Sequence, residues 1–376
     1  MTNPASLLVV VPVESRADLG RFIEFPWSIY RDDPDWVPPL RRDVRAAFDP
    51  AKHPFHLHSE VQPYLALRDG EVVGRICAIR NRNHERLHEE AVGFFGWFES
   101  IDDPEVAEAL LDTVRAWLRE RGLEAMRGPT SFSTNEICGL LIDGDPGPPV
   151  ILMAHNPPYY PDLLEGAGLR KAKDLYAWHM TEGSWPKHMF RAEKLVARRY
   201  GTRVRSLNMS KFKDELALVR RLYNAAWEKN WGFVPMTDAE MDHMAAELKP
   251  VLNPDLALFA ETPDGEMIGF ALAIPDFNQV LKKMNGRLTP LGLLRALIHK
   301  RKITSMRVLI LGLLEEWRGK GIDILLYLAL FRNGTAAGMT EAEQSWILED
   351  NHKMNAAIER LGGRVYRTYR LYEAPL

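Results

Sequence analysis

Cysteine is nearly absent from this chain of 376 residues: Cys77 and Cys138 are its only two. Two thiols so far apart build no disulfide framework and no cysteine-based zinc site, and they point to a reducing compartment. Long apolar runs are missing as well. Nowhere do eighteen uninterrupted apolar residues occur, so no membrane-spanning helix is expected. The one short apolar run near the start, 7–11, has no basic lead and no cleavage-like segment, and reads as a first strand, not a signal peptide. Charge of one sign is not in excess either. A net charge of −3 excludes a polyanion binder working through its overall field. What remains, at 46% apolar content, is ordinary globular material whose length favours two domains in the cytoplasm.

Two halves of the chain echo each other. Asp69-Gly70-Glu71-Val72-Val73-Gly74 recurs as Asp264-Gly265-Glu266-Met267-Ile268-Gly269, each copy between two strand-like runs. An Asp-Gly pair so placed predicts a hairpin, because that turn needs positive φ. Both halves continue through a further strand (92–98 and 308–314), a helix, another strand, and a Gly-ended helix leading to a final aromatic strand. A unit of this length repeated once implies duplicated domains, not a solenoid. The expected class is α/β (α+β with mixed sheets), with two tandem domains of similar build. The expected boundaries are 1–183 and 206–376, joined by a linker helix at 184–205. Lys187, Arg191, Lys194, Arg198, Arg199, Arg203 and Arg205 give that linker a solvated, basic face.

The second half holds the most informative stretch. The apolar run 307–314 opens through Arg318-Gly319-Lys320-Gly321-Ile322-Asp323 into a helical pattern. A buried strand that turns through glycines into a helix N-terminus makes an anion cradle, since the turn's free N–H groups and the helix dipole face the same point. Glycine lets the backbone come close to the ligand. The first half lacks this turn. Its strand runs into Phe98-Glu99-Ser100-Ile101-Asp102-Asp103-Pro104, acidic where the second copy is basic and a good helix start. The first domain is therefore expected to hold no such anion and to wall a substrate site instead.

Acidic residues are wholly missing between Phe277 and Leu314. The insertion at 277–305 carries Lys282, Lys283, Arg287, Arg295, Lys300, Arg301 and Lys302 together with Leu288, Leu291, Leu293, Leu294, Leu297 and Ile298. A segment basic on one face and leucine-rich on the other suits a membrane surface, with contact through 282–302. A core-packing helix with a basic end is the alternative. Nucleic acid is disfavoured because the stretch has no aromatic stacking residues. The polar loop 127–139 and the segment Asn156-Pro157-Pro158-Tyr159-Tyr160 are candidates for lining a pocket, with Asn135, Glu136 and Tyr160 as substrate contacts. His53, His56 and His58 are read as non-ligands, for no cysteine completes a site and Pro54 breaks the spacing. No metal is expected.

The stretch Leu311-Gly312-Leu313-Leu314-Glu315-Glu316-Trp317-Arg318-Gly319-Lys320-Gly321-Ile322 resembles the acyl-CoA motif of the GCN5-related N-acyltransferase (GNAT) superfamily. The family pattern is Gln or Arg, two residues, Gly, one residue, then Gly or Ala; Asp323 departs from it at the last position. The resemblance implies two tandem GNAT-like domains, with coenzyme A bound in the second as acyl-CoA. It gives Arg318, Gly319, Lys320, Gly321, Ile322 and Asp323 to the pyrophosphate. Leu311, Leu313 and Leu314 then lie on a strand that splays from its neighbour and pairs its main chain with the pantetheine arm. Asn351 matches a family Asn, but the Tyr that protonates the leaving thiolate seven residues on is here Ile358. Attack by an amine needs a base. Glu315, Glu316 and Glu349 are the candidates, Glu315 first.

Further phrases narrow the likeness: Asp35-Trp36-Val37-Pro38-Pro39-Leu40, Val92-Gly93-Phe94-Phe95-Gly96, Arg127-Gly128-Pro129 and Asp174-Leu175-Tyr176-Ala177-Trp178. They are similar to a tandem GNAT subgroup that includes the bacterial ceramide synthases. The implied partners are a fatty acyl-CoA and a long-chain amine, a sphingoid base, met at the inner face of the cytoplasmic membrane. Acetylation of a small amine or protein terminus, aminoacyl transfer, and a non-catalytic acyl-CoA-binding module are the rival readings.

Overall fold

The computed structural model describes residues 7–227, 230–290 and 299–376. They form two compact units, and neither is one continuous piece of chain. The first comprises Met1–Asp174, Leu281–Thr289 and Thr368–Leu376; the second comprises Leu175–Val280 and Pro290–Arg367.

In the first unit, β1 (Leu8–Pro12), β2 (Ser59–Arg68), β3 (Glu71–Asn81), β4 (Val92–Ser100) and β5 (Ala125–Gly128) lie side by side in chain order. A sixth strand, β6 (Leu140–Gly144), follows. Among the neighbouring pairs from β1 to β5 only β4–β5 is parallel, because the helix Pro104–Arg119 crosses over between them. That helix begins where Asp103 caps it and Pro104 occupies its first turn. Val106, Ala107, Leu110, Leu111, Val114 and Leu118 recur at helical spacing and are all buried. Each leucine among them contributes about 2 kcal/mol of burial.

The second unit takes the end of β7 (Arg170–Thr181) and then β12 (Glu341–Leu348), β11 (Ser305–Leu313), β10 (Met267–Pro275), β9 (Ala257–Glu261) and β8 (Arg203–Ser206), in that order across the sheet. Again only one pair, β11–β12, is parallel, with the crossover helix Ile322–Ala336 between the two strands. Ile322, Leu325, Leu326, Leu328 and Leu330 are buried around much of its circumference, as in a helix enclosed by its own domain.

Both expected Asp-Gly hairpins form, with different turns. Asp69 and Gly70 both take positive φ, 53° and 88°, in a two-residue loop. In the second copy only Gly265 does, at 84°. There the loop widens: Thr262 N–H donates to the Glu266 carbonyl at 2.9 Å and Gly265 N–H to the Thr262 carbonyl at 3.0 Å. Pro263, with its fixed φ, suits the first corner of such a turn.

The expected boundaries at 183 and 206 do not coincide with the observed units, for three local reasons. Strand β13 (Arg364–Pro375) gives its last residues to the first unit, where Tyr372 pairs Gly128 and Pro375 pairs Ala125. The end of β7 lies beside β12 in the second, Thr181 opposite Glu341. The linker helix, Met189–Tyr200, belongs to the second unit, with Arg332 held in a bidentate pair by Glu193 at 2.5 Å. From the insertion, Leu281–Thr289 joins the first unit: Arg41 donates to the Asn285 carbonyl and Trp27 to its side chain, both at 2.8 Å. The leucine-rich part of the insertion, 291–298, lies outside the described residues. Among the described residues no helix is long and apolar enough to cross a membrane.

Candidate active site

Strand β11 is paired on both sides only at its start. Its rungs to β12 run from Ser305–Glu341 to Val308–Gln344 and stop there. On the other side it stays with β10 as far as Leu313, with a bulge at Leu309. From 309 to 313 the ladder therefore has a partner on one side only, and β11 and β12 diverge like the arms of a V. At about 3.3 Å per residue, Leu313 lies roughly 16 Å from the last rung at Val308. Leu311 is half-buried and Leu313 buried, while Leu314 donates its N–H to the Ile268 carbonyl at 3.0 Å.

The open arm ends in the predicted cradle. A tight turn at Glu315–Trp317 is closed by Trp317 N–H to the Leu314 carbonyl at 2.9 Å. Gly319 and Gly321 follow at φ of 72° and 80°, and the helix starts at Ile322. Left-handed backbone at both positions is why glycine stands there. A Cβ at Gly319 would meet nothing within 4 Å, so conformation, not space, is the constraint. At Gly321 a Cβ would also press on Val196 at 3.1 Å. Arg318, Gly319 and Lys320 are exposed. Lys320 Nζ rests 4.4 Å from the Trp317 ring centroid and 5.8 Å from that of Tyr200, so a cation–π pair pre-positions it. Arg318 Nε bonds the Leu313 carbonyl at 3.1 Å, tying the guanidinium to the end of the strand.

Asp323 is the cradle's departure from the family pattern. Burial pushes its carboxyl above the usual range, against the pull of its own N–H and that of Ile324, which both donate to it. A carboxyl group here stands at the positive end of the helix, where an incoming anion would also be drawn.

The other predicted residues are scattered. Glu315 and Glu316 are exposed in the turn that follows β11. Glu349 follows the end of β12, and its carbonyl accepts from Asn355 at 3.3 Å. Asn351 caps the helix His352–Arg360 through Met354 N–H at 3.3 Å. Ile358, where the family tyrosine stands, is fully buried. In the first unit, Glu136 lies 3.9 Å from His53 and Asn135 takes part in a turn with Ser133. Tyr160 is a core residue: its hydroxyl donates to Glu99 at 2.7 Å and accepts from Ser100 N–H at 2.9 Å. Among the described residues no group of His, Cys, Asp and Glu is placed to hold a metal ion. A cavity of about 230 Å³, lined by Asn253, Pro275, Lys300, Ile303 and Met339, lies at the start of β11, away from the cradle.

Sequence reasoning passed over a buried polar cluster at the root of the V. Arg307 and Glu343 form the rung just before the last, and both are 2% exposed or less. Arg307 Nε donates to Ser345 Oγ at 3.0 Å, and Ser345 Oγ donates to Glu343 Oε1 at 2.5 Å. The Tyr366 hydroxyl donates to Glu343 Oε2. The available signal was Arg307, a lone charge in the apolar run of β11, which burial makes costly unless paired.

The first unit lacks the open geometry. Its parallel rungs also stop early, at Phe94–Arg127, but Thr130 N–H then bonds the Phe95 carbonyl at 2.8 Å. The contact is so close that a Cβ on Gly96 would fall 1.5 Å from the Thr130 carbonyl oxygen. Phe132, fully buried, stacks on Phe55 with centroids 5.3 Å apart. At the helix head, Asp103 accepts from Glu105 N–H at 2.9 Å and pairs with Arg68 at 2.6 Å. An internal carboxylate with its own counter-ion already fills the anion position.

Over 379 residues the chain is 35% identical to a protein of Caulobacter vibrioides named bacterial ceramide synthase, covering 98% of each. It is also 35% identical over 366 residues to Protein YghO of Escherichia coli, covering 96% of this chain and 93% of that one. No family model matches. Its fold is similar to a tandem GNAT protein from the clavulanic acid biosynthesis pathway (TM-score 0.59, 12% identity, 98% of both chains). It is likewise similar to a GCN5-related N-acetyltransferase from Sphaerobacter thermophilus (TM-score 0.53, 14% identity, 98% of this chain and 95% of that one).

Proposed function

The chain belongs to the tandem GNAT-like N-acyltransferase family that includes the bacterial ceramide synthase and Protein YghO, and from that premise we propose that it moves a fatty acyl group from acyl-CoA to the amine of a long-chain sphingoid base. The observation that carries this reading is the end of the β11–β12 rungs before a glycine-turned helix head, a combination found among the described residues in the second unit alone. The pyrophosphate would lie on the amides of Gly319–Ile322 with Arg318 and Lys320 beside it. The pantetheine arm would run along 309–313 as an added strand, bonding the backbone that β12 leaves. This puts the thioester at the root of the V, where a positioned amine attacks without a further encounter. The exposed Lys282, Lys283 and Arg287 support contact with an anionic membrane surface, where both lipid substrates are found.

The test is incubation of the full chain with sphinganine and palmitoyl-CoA, followed by mass spectrometry of the lipid. An N-acylated sphinganine is expected. Turnover confined to acetyl-CoA across a chain-length panel would refute the lipid assignment and leave a small-molecule acetyltransferase. Arg318→Ala and Lys320→Ala should each weaken palmitoyl-CoA binding about tenfold in calorimetry, with the melting temperature little changed. Wild-type affinity in both variants would count against the cradle.

A further inference from the structure

An acyl transfer at the root of the V needs a group to move a proton there, and the predicted carboxylates stand elsewhere. Glu315 lies seven residues beyond Val308 along the chain, roughly 20 Å at strand rise, beside the phosphates rather than the thioester. Glu349 lies five residues past Gln344, the last rung of the other arm. The position of the family tyrosine is a buried isoleucine, Ile358. One cluster does stand at the root, on the sheet face opposite the crossover helix. Met306, Val308 and Ala342 pack with that helix, so by strand alternation Arg307, Glu343 and their partner Ser345 face the other way.

Within the cluster the roles divide by exposure. Glu343 and Arg307 are sealed, at 2% and 1% exposed, whereas Tyr366 is only half-buried. Both oxygens of Glu343 are engaged, Oε1 by Ser345 and Oε2 by Tyr366. Arg307 Nε lies 3.7 Å from Oε1, giving the buried carboxylate its counter-charge. The Trp346 ring lies 4.8 Å from the Arg307 guanidinium. Facing Tyr366 are His179 on the neighbouring strand β7, ring centroids 5.5 Å apart, and the next residue of its own strand, Arg367, whose guanidinium lies 5.1 Å from its ring centroid. His179 in turn lies 3.4 Å from Glu341.

Resting on the acyltransferase reading above, we propose that Tyr366 is the proton-transfer residue of this site and that Glu343, fixed by Ser345 and Arg307, is the carboxylate that positions and polarises it. As the amine nitrogen attacks the thioester carbonyl carbon, its proton passes to Tyr366 Oη while the tyrosine's own proton passes to Glu343. The C–N bond forms and the C–S bond breaks, with the electron pair leaving on sulfur. The reverse transfer along the same hydrogen bond then delivers a proton to the thiolate, so the products are amide and free thiol and both side chains return to their starting state. A tyrosine from the last strand thereby takes the task that Ile358 cannot perform.

The test uses the full chain with palmitoyl-CoA and sphinganine, following thiol release across a pH series and palmitoyl-CoA binding by calorimetry. Tyr366→Phe removes one oxygen from a half-buried ring. It should lower kcat about 100-fold or more while binding stays within twofold. Glu343→Gln should lower kcat about tenfold or more, with partial recovery in Glu343→Asp. Should the buried carboxylate variants fail to fold, Tyr366→3-fluorotyrosine decides the matter, since a more acidic phenol must move the alkaline limb of the pH–rate profile to lower pH. A Tyr366→Phe protein within threefold of wild type, or a fluorotyrosine profile that does not move, overturns the proposal and leaves the acyltransferase reading standing. A wild-type protein that binds palmitoyl-CoA yet releases no thiol refutes that reading, and this proposal with it.

Discussion

In the first unit β4 and β5 part after Phe94 and Arg127; in the second β11 and β12 part after Val308 and Gln344. The first gap is filled by the chain's own Thr130 and Phe132, and the second is left open. Next to the hairpins the two copies correspond in register, with Gly74 opposite Ser100 and Gly269 opposite Leu313. On that register Glu99 stands where the second unit has Gly312. Glu99 is enclosed by Arg75, Tyr30 and Tyr160, and its burial raises the carboxyl's pKa despite their hydrogen bonds. Its side chain builds core at a place where glycine adds none. The same duplicated framework has thus been closed by its own chain in one copy, while in the other the strand from 309 to 313 keeps a ladder partner on one side only.

The sharpest way to break this contrast is at the tightest contact of the closed copy. Gly96→Ala sets a methyl group on the Thr130 carbonyl and should cost about 3 kcal/mol of stability. Denaturant midpoints would read it, and palmitoyl-CoA affinity should survive wherever the protein remains folded. A loss of affinity with no loss of stability would mean that the filled gap has a binding role. Next comes the open copy. Gly321→Val puts a β-branched residue at φ of 80° and should weaken palmitoyl-CoA binding about 30-fold in calorimetry, equivalent to about 2 kcal/mol of cradle strain. Unchanged binding would show that the helix head is not where the coenzyme sits.

The smallest effect concerns the two aspartates at the helix heads, whose carboxyls shift in opposite directions. Asp103 is lowered, chiefly by its bond to Arg68, and Asp323 is raised, chiefly by burial. Stability contributed by Asp103 is present above the ordinary carboxylate value of about 4 and fades as pH falls through its depressed pKa. That contributed by Asp323 is present below the ordinary value and is lost as pH rises through its elevated pKa. Above that point its charge also opposes the phosphates. Asp323→Asn should therefore raise palmitoyl-CoA affinity about threefold at neutral pH and flatten its pH dependence. Asp103→Asn should leave both alone. An affinity gain from the first-unit substitution instead would reverse the assignment of the open copy.

Much of the cradle was legible before any coordinates. Glycines 319 and 321 announce left-handed backbone, and the apolar run before them announces a buried strand, because both are properties of a few consecutive residues. The Asp-Gly hairpins were legible for the same reason, though Pro263 altered the second. Other features were not. The exchange of β13 and β7 between units depends on which distant strands pair, and no local pattern encodes it. Arg307 looks in the sequence like a stray charge in an apolar strand, Glu343 like one polar residue among several, and Tyr366 like one aromatic among several.

By itself the sequence determined the duplicated framework, the glycine-turned helix head in the second copy and its acidic counterpart in the first. Each of these is settled within a few neighbouring residues by backbone sterics and capping chemistry. Tertiary structure alone decided that one gap is plugged by Thr130 and the other left open, and that Tyr366 meets Glu343 across 23 positions of chain. Sheet register sets those meetings, and register is a compromise reached by all the strands at once.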